Sequence, residues 1–103
     1  MFGNIFDNLK EKQAEMKTRL AEIILEAEVE GIQIKVNANR EIIDIKMDRG
    51  KIDIEDLEKV EDLLVICVNQ ALTMAAEKEA TEAQSMINDL MPPGLGGLLS
   101  KFK

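Results

Sequence analysis

The chemistry available to this sequence rests on 13 lysines and arginines, 20 aspartates and glutamates, and one cysteine. Histidine, tyrosine and tryptophan are absent. A lone Cys67 cannot form an internal disulfide or a cysteine-based zinc site. It sits among Leu63, Leu64, Ile66 and Val68, where a thiol behaves as a small hydrophobe and its thiolate is disfavoured. Asp44, Asp48 and Asp53 come close in sequence, but they lack the D-x-D-x-D-G spacing and terminal Glu of a calcium loop. They read as solvated carboxylates at strand ends. No Gly-rich phosphate loop occurs. The residues therefore point to no catalytic, cofactor-binding or metal-ligating position, and the chain reads as a non-enzyme.

The basic residues are the sharper signal. Lys10, Lys12, Lys17 and Arg19 lie in one early segment, with Lys10/Lys17 and Lys12/Arg19 each seven apart and so each pair on one helical face. Such charge attracts phosphates, because neutralising them releases condensed counterions. Glu11, Glu15 and Glu22 alternate with these cations and offer the plainer reading of solvated ion pairs. Arg40, Lys46, Arg49 and Lys51 form a second basic group. No aromatic residues interleave with either group, so stacking on single-stranded bases is not expected. No base-reading motif is visible, and any nucleic-acid contact should be to the backbone.

Net charge is −7 and unevenly spread. Residues 1–51 hold 9 basic and 10 acidic side chains, a balance of −1; residues 52–103 hold 4 and 10, a balance of −6. The acidic half, with Glu55, Asp56, Glu58, Glu61, Asp62, Glu77, Glu79 and Glu82, supports an alternative role as a protein-interaction adaptor for a basic partner.

These residues must be positioned by a single domain. Hydrophobic residues make up 46% of the 103 positions and aromatic ones 3%, so the core is aliphatic. Residues 4–21 read as a helix, started by Asn4 or Asp7. Phe2, Leu9, Met16 and Ile23, with Phe6, Gln13, Leu20 and Ala27, make a heptad-like seam along it. The period then changes to two. Leu25, Ala27 and Val29, then Ile32, Ile34 and Val36, then Ile43, Ile45 and Met47 alternate with polar residues, which is the pattern of strands with one buried face. Turns fall at Glu30-Gly31 and Ala38-Asn39-Arg40. The reading is an antiparallel three-strand meander. Asp56, or Asp53 a turn earlier, caps a second helix that runs without Pro or Gly from Leu57 to Leu90 and stops at Pro92-Pro93-Gly94. Residues 1–94 thus form one α-β-β-β-α domain of the α+β class, and 95–103 a flexible tail.

A helix of about 34 residues is roughly 50 Å long, whereas a globule of this size is only about 33 Å across. The second helix should overhang its own body, and a second copy should cover the exposed apolar face by two-fold symmetry. Leu64, Cys67, Val68, Ala71, Met74, Ala75 and Met86 are the candidate dimer contacts. Met16, Met74 and Met86 read first as packing residues.

Several segments resemble the YbaB/EbfC family of nucleoid-associated proteins, in shared order and along almost the whole chain. Met1-Phe2-Gly3 before a Lys/Gln/Met-rich helix is similar to the family's start. Ile34-Lys35-Val36 resembles its V-K-V strand, and Asn37-Ala38-Asn39-Arg40-Glu41-Ile42 its next turn in the form of Bacteroidetes-type members. Glu55-Asp56-Leu57-Glu58-Lys59-Val60-Glu61-Asp62-Leu63-Leu64 resembles its helix entry. Val68-Asn69-Gln70-Ala71 is similar to its N-x-A segment, and Met91-Pro92-Pro93-Gly94-Leu95 to its L-P-P-G ending. The resemblance implies a tweezer-like homodimer that binds double-stranded DNA with little sequence preference and acts in nucleoid organisation or gene regulation. With that implication, Lys10, Lys12, Lys17, Arg19 and Arg40 become the candidate phosphate contacts. The expected location is the cytoplasm, on the bacterial nucleoid. The start lacks a signal-peptide pattern, no run approaches the roughly 18 apolar residues that span a bilayer, and neither a cofactor nor a small-molecule substrate is expected.

Overall fold

The computed structural model describes residues 2–90, and side-chain surroundings for residues 7–89. The expected Pro-Pro-Gly stop and the tail 95–103 lie outside the described residues. The element order is α1 (Phe2–Glu22), β1 (Ile24–Val29), β2 (Ile32–Asn37), β3 (Ile42–Met47) and α2 (Leu57–Leu90). The fold is α+β, as the alternation of sequence periods requires.

The three strands form one antiparallel sheet in the order β1-β2-β3. Val29 pairs with Ile32, so the β1–β2 connection is only Glu30-Gly31. Both take positive φ, 42° and 95°, which is the two-residue turn whose twist suits a hairpin. A Cβ on Gly31 would lie 2.8 Å from the Cβ of Lys51 and 3.2 Å from Cγ1 of Ile52, so glycine is required by space as well as by φ. The second turn falls at residues 38–40, as the sequence predicts. Arg40, not Asn39, takes the left-handed conformation at φ 63°. Asn37 explains the exchange: its Oδ1 accepts the amides of Asn39 (3.0 Å) and Glu41 (3.1 Å), which closes the turn around residue 40.

One face of β1 and β2 is buried under α2. Ile32, Ile34 and Val36 are fully buried, together with Cys67, Ala71 and Ala75 of α2. Ala27 joins them, and Leu25, Val29, Ile52, Leu63, Leu64, Val68, Leu72 and Met74 pack around the cluster. Small residues at 67, 71 and 75 follow helical spacing, and their size lets the helix settle onto the sheet. Each large buried aliphatic side chain contributes about 1.5–3 kcal/mol.

The expectation of a buried face fails for β3. Ile42, Ile45 and Met47 share the side of Val36, Ile34 and Ile32 but remain 43–45% exposed, because α2 lies across β1 and β2. A register shift between Lys35 and Val36 bulges β3 and removes Ile43 from the pairing. On the opposite face, Lys35 stands between Glu26 and Asp44, a cross-strand arrangement of opposite charges.

Asp56 caps α2 by accepting the amide of Lys59 at 3.2 Å. Asp53 instead closes a turn just before it, accepting the amide of Glu55 at 3.1 Å. At the other end of the chain α1 begins at Phe2, so positions 4 and 7 lie inside the helix rather than at its start. Among the described residues its seam is covered toward the C-terminal end: Leu20 is 5% exposed, while Leu9 is 48% exposed. The molecule is elongated, with principal extents of 63 × 33 × 17 Å.

Candidate nucleic-acid interface

The last turn of α1 and the β2–β3 turn are locked together by backbone groups. The amide of Ala38 donates to the carbonyls of Leu20 and Ile23, both at 3.1 Å. Asn39 Nδ2 donates to the carbonyl of Lys17 at 2.8 Å. The carbonyls at a helix end have no partner within the helix, so this turn acts as an external cap for α1. Asn37 holds the turn in shape, donating from Nδ2 to Glu41 Oε1 at 2.9 Å. The sequence marks Asn37 and Asn39 only as turn residues. Their role in fixing α1 depends on a partner about twenty positions away, which no local pattern encodes.

This docking holds the five candidate phosphate contacts in fixed relation. Lys17, Arg19 and Arg40 come to the α1–turn junction, and Lys12 and Lys10 follow further up α1. Lys10 and Lys17 share one face of α1, and Lys12 and Arg19 the other, which turns toward α2. All five side chains are exposed, but their electrostatic surroundings differ. Arg19 Nη2 lies 3.1 Å from Glu82 Oε2, and Arg40 Nε lies 3.6 Å from Glu79 Oε2. Glu82 also receives Lys78 Nζ at 3.6 Å, and its side chain is only 12% exposed. The approach of Arg19 is off the hydrogen-bonding direction, so Oε2 of Glu82 is buried with Coulomb attraction but no hydrogen bond among the described residues. Lys12 pairs with Glu15 at 3.6 Å on α1 itself. Among the described residues, Lys10 and Lys17 have no carboxylate within 4.0 Å. Of the second basic group, Lys51 reaches Glu28 at 3.9 Å.

The candidate dimer contacts separate into two kinds. Cys67, Ala71 and Ala75 have no exposed surface in the single chain, since the sheet takes the whole of it. Their stripe therefore cannot also be the one a second copy touches. Leu64, Val68 and Met74 pack at the edge of the same core and remain half-buried. Met86 lines a groove of about 170 Å³ with Lys12, Met16, Arg19 and Asp89, so α1 partly covers the end of α2 for which the sequence predicts an overhang.

A different apolar surface is open. Ile45, Met47, Ile52, Ile54, Leu57 and Val60 line a groove of about 560 Å³ between β3 and the start of α2. Val65 and Ile66 are also exposed, at 59% and 47%. The run Leu63 to Val68 carries this signal, because it is apolar all round the helix and exceeds what one core face can use.

Cys67 Sγ lies 3.6 Å from the carbonyls of Ala27 and Ile32. Burial pushes the thiol above its ordinary value, which removes it from nucleophilic chemistry near neutrality. Among the described residues no three potential ligands converge as a metal site, and no helix is long and apolar enough to cross a membrane.

The helix, meander and long helix define a known architecture. A crystal structure of an uncharacterized protein from Helicobacter pylori superposes with a TM-score of 0.72 at 18% identity, over 84% of this chain and 92% of that one. The sequence profile of the YbaB/EbfC DNA-binding family matches residues 2–90, and the chain belongs to that family. A nucleoid-associated protein of Syntrophobacter fumaroxidans is 36% identical over 84% of this chain and 81% of its own length. One from Thermoanaerobacter sp. strain X514 is 35% identical over 90% and 88%, and one from Dictyoglomus thermophilum 33% identical over 84% and 86%. The family is one of DNA-binding proteins rather than of enzymes.

Proposed function

We propose that this chain is a nucleoid-associated protein that binds double-stranded DNA through its backbone, with little sequence preference, as a homodimer. The observation that carries the reading is the set of exposed cations on α1 that the β2–β3 turn holds in fixed relation. Lys10 and Lys17 lead, and Lys12, Arg19 and Arg40 join where a phosphate competes with their carboxylates. The lack of aromatic side chains among these cations, and of any base-reading motif, supports backbone contact and weak sequence preference. Family membership and the names of its relatives support the nucleoid as the place of action, with effects on nucleoid organisation or gene regulation.

An exposed apolar face supports pairing with a second copy. Ile42, Ile45, Met47, Ile54 and Leu57 form an exposed apolar face on an uncovered edge strand, a surface of the kind that marks association. Closed two-fold pairing covers it and doubles the number of phosphates engaged.

Gel retardation of duplex DNA at two salt concentrations tests the proposal. Affinity should fall steeply with salt, by a logarithmic slope of about 0.9 for each phosphate engaged. The K10Q/K17Q variant should lower that slope in proportion to the phosphates it no longer neutralises. Absence of retardation at low salt would overturn the reading. It would leave the acidic adaptor, for which the exposed Glu55, Asp56, Glu58, Glu61 and Asp62 of the α2 entry speak.

A further inference from the structure

Two of the candidate phosphate contacts, Arg19 and Arg40, are paired with carboxylates that come from one stretch of α2. Glu79 and Glu82 are neighbouring positions on the same helical face, three residues apart. Glu79 holds Arg40 at 3.6 Å, from the β2–β3 turn. Glu82 holds Arg19 at 3.1 Å, from α1. These are the elements whose docking fixes the cations, so the two glutamates sit behind them and present to each guanidinium the charge a DNA phosphate would present. The fit of Arg19 is imperfect: it meets Glu82 off the hydrogen-bonding direction and keeps 62% of its side chain exposed. Arg40 is similarly open, at 57%. Both arginines are therefore reachable by a competing anion without first dismantling the fold.

We infer that Glu79 and Glu82 are affinity-setting residues that compete with DNA phosphate for Arg40 and Arg19. The inference rests on the DNA-binding reading above and adds to it a built-in restraint on affinity. A protein that coats DNA without reading sequence gains from weak contacts, because it must remain displaceable along the duplex. Carboxylates that occupy two arginines per chain provide that weakness while keeping the arginines in place.

The test is a double-mutant cycle by gel retardation of a random-sequence duplex at low salt. Ion pairs whose arginine stays open to solvent hold it by a factor of about 1.4 to 5 each. The E79Q/E82Q variant should then bind about two- to twenty-fivefold more tightly per chain. The gain should vanish when the same changes are made in R19Q/R40Q/K78Q, because neither arginine, nor the Lys78 that Glu82 also holds, remains to be released. A general effect of reduced negative charge would persist in that background, and such persistence would overturn the inference. So would a wild-type chain that binds DNA with no gain in E79Q/E82Q, while the DNA-binding reading stood. Binding by E79Q/E82Q where the wild type shows none supports the inference, and failure of both overturns inference and reading together. Circular dichroism checks folding. Should the half-buried Glu82 prove essential to it, the exposed pair E79Q with R40Q runs the same cycle at one site.

Discussion

Leu20→Ala should release α1 from the body while leaving the sheet and α2 folded. Leu20 is 5% exposed and is the buried anchor of α1 among the described residues, yet it lies outside the core cluster under α2. Replacing a buried leucine by alanine costs about 2–5 kcal/mol, depending on how far the site collapses. A site at the margin of the molecule relaxes readily, which places this one near 2–3 kcal/mol. The bonds from the Ala38 amide and the Asn39 side chain to the end of α1 remain available, so the cost falls on the opening of α1 alone. At about 1.4 kcal/mol per tenfold, amides in α1 should exchange roughly 30- to 140-fold faster. Amides of α2 around Cys67 to Ala75 should keep their protection. Hydrogen exchange followed by mass spectrometry on peptides from the two regions reads both at once. The same variant should lose DNA affinity, because Lys10, Lys12, Lys17 and Arg19 would no longer be held in fixed relation to Arg40. Equal loss of protection in α1 and α2 would contradict this picture, since α1 would then be part of one cooperative unit. Release of α1 with unchanged DNA binding would remove α1 from the proposed interface.

Three further outcomes follow from individual residues. Gly31→Ala should destabilise the fold by about 2–3 kcal/mol, combining positive φ with a close approach to Lys51, and lower the melting temperature by about 10 °C or more at fixed protein concentration. Leu57→Asp should yield a folded single subunit in analytical ultracentrifugation, because the side chain is 60% exposed in the chain and an acid is tolerated in the first turn of α2; persistence of a dimer would move the interface elsewhere. Burial raises the folded thiol of Cys67 above its ordinary value of 9.0, so its contribution to stability is complete below the unfolded value and is lost as pH rises through the folded one. Denaturant unfolding should therefore show stability declining above about pH 8.5, and Cys67→Ala should flatten that decline.

The local elements are legible because each depends on neighbours in the chain. Alternation of apolar and polar residues is enough to specify strands, Glu30-Gly31 enough to specify a two-residue turn, and Asp56 enough to start α2. The spacing of the cations along α1 can likewise be read locally. Which face of α2 meets the sheet cannot, because Leu63 to Val68 is apolar on every side. Local pattern therefore does not separate Cys67, Ala71 and Ala75, which the sheet covers, from the apolar positions left exposed, such as Val65 and Ile66.

Composition, and periods of two and about 3.6 residues, account for the order and type of the elements, the aliphatic core and the two opposed charge populations. Those signals act over a few positions. Packing in three dimensions was needed to leave β3 beyond the cover of α2, to bring Asn39 back to Lys17, and to rest Arg19 and Arg40 on Glu82 and Glu79. The paired residues in those contacts lie about 20 to 60 positions apart. Such pairings arise when side-chain volume and backbone hydrogen bonding fix how elements pack, and local pattern carries no record of that choice.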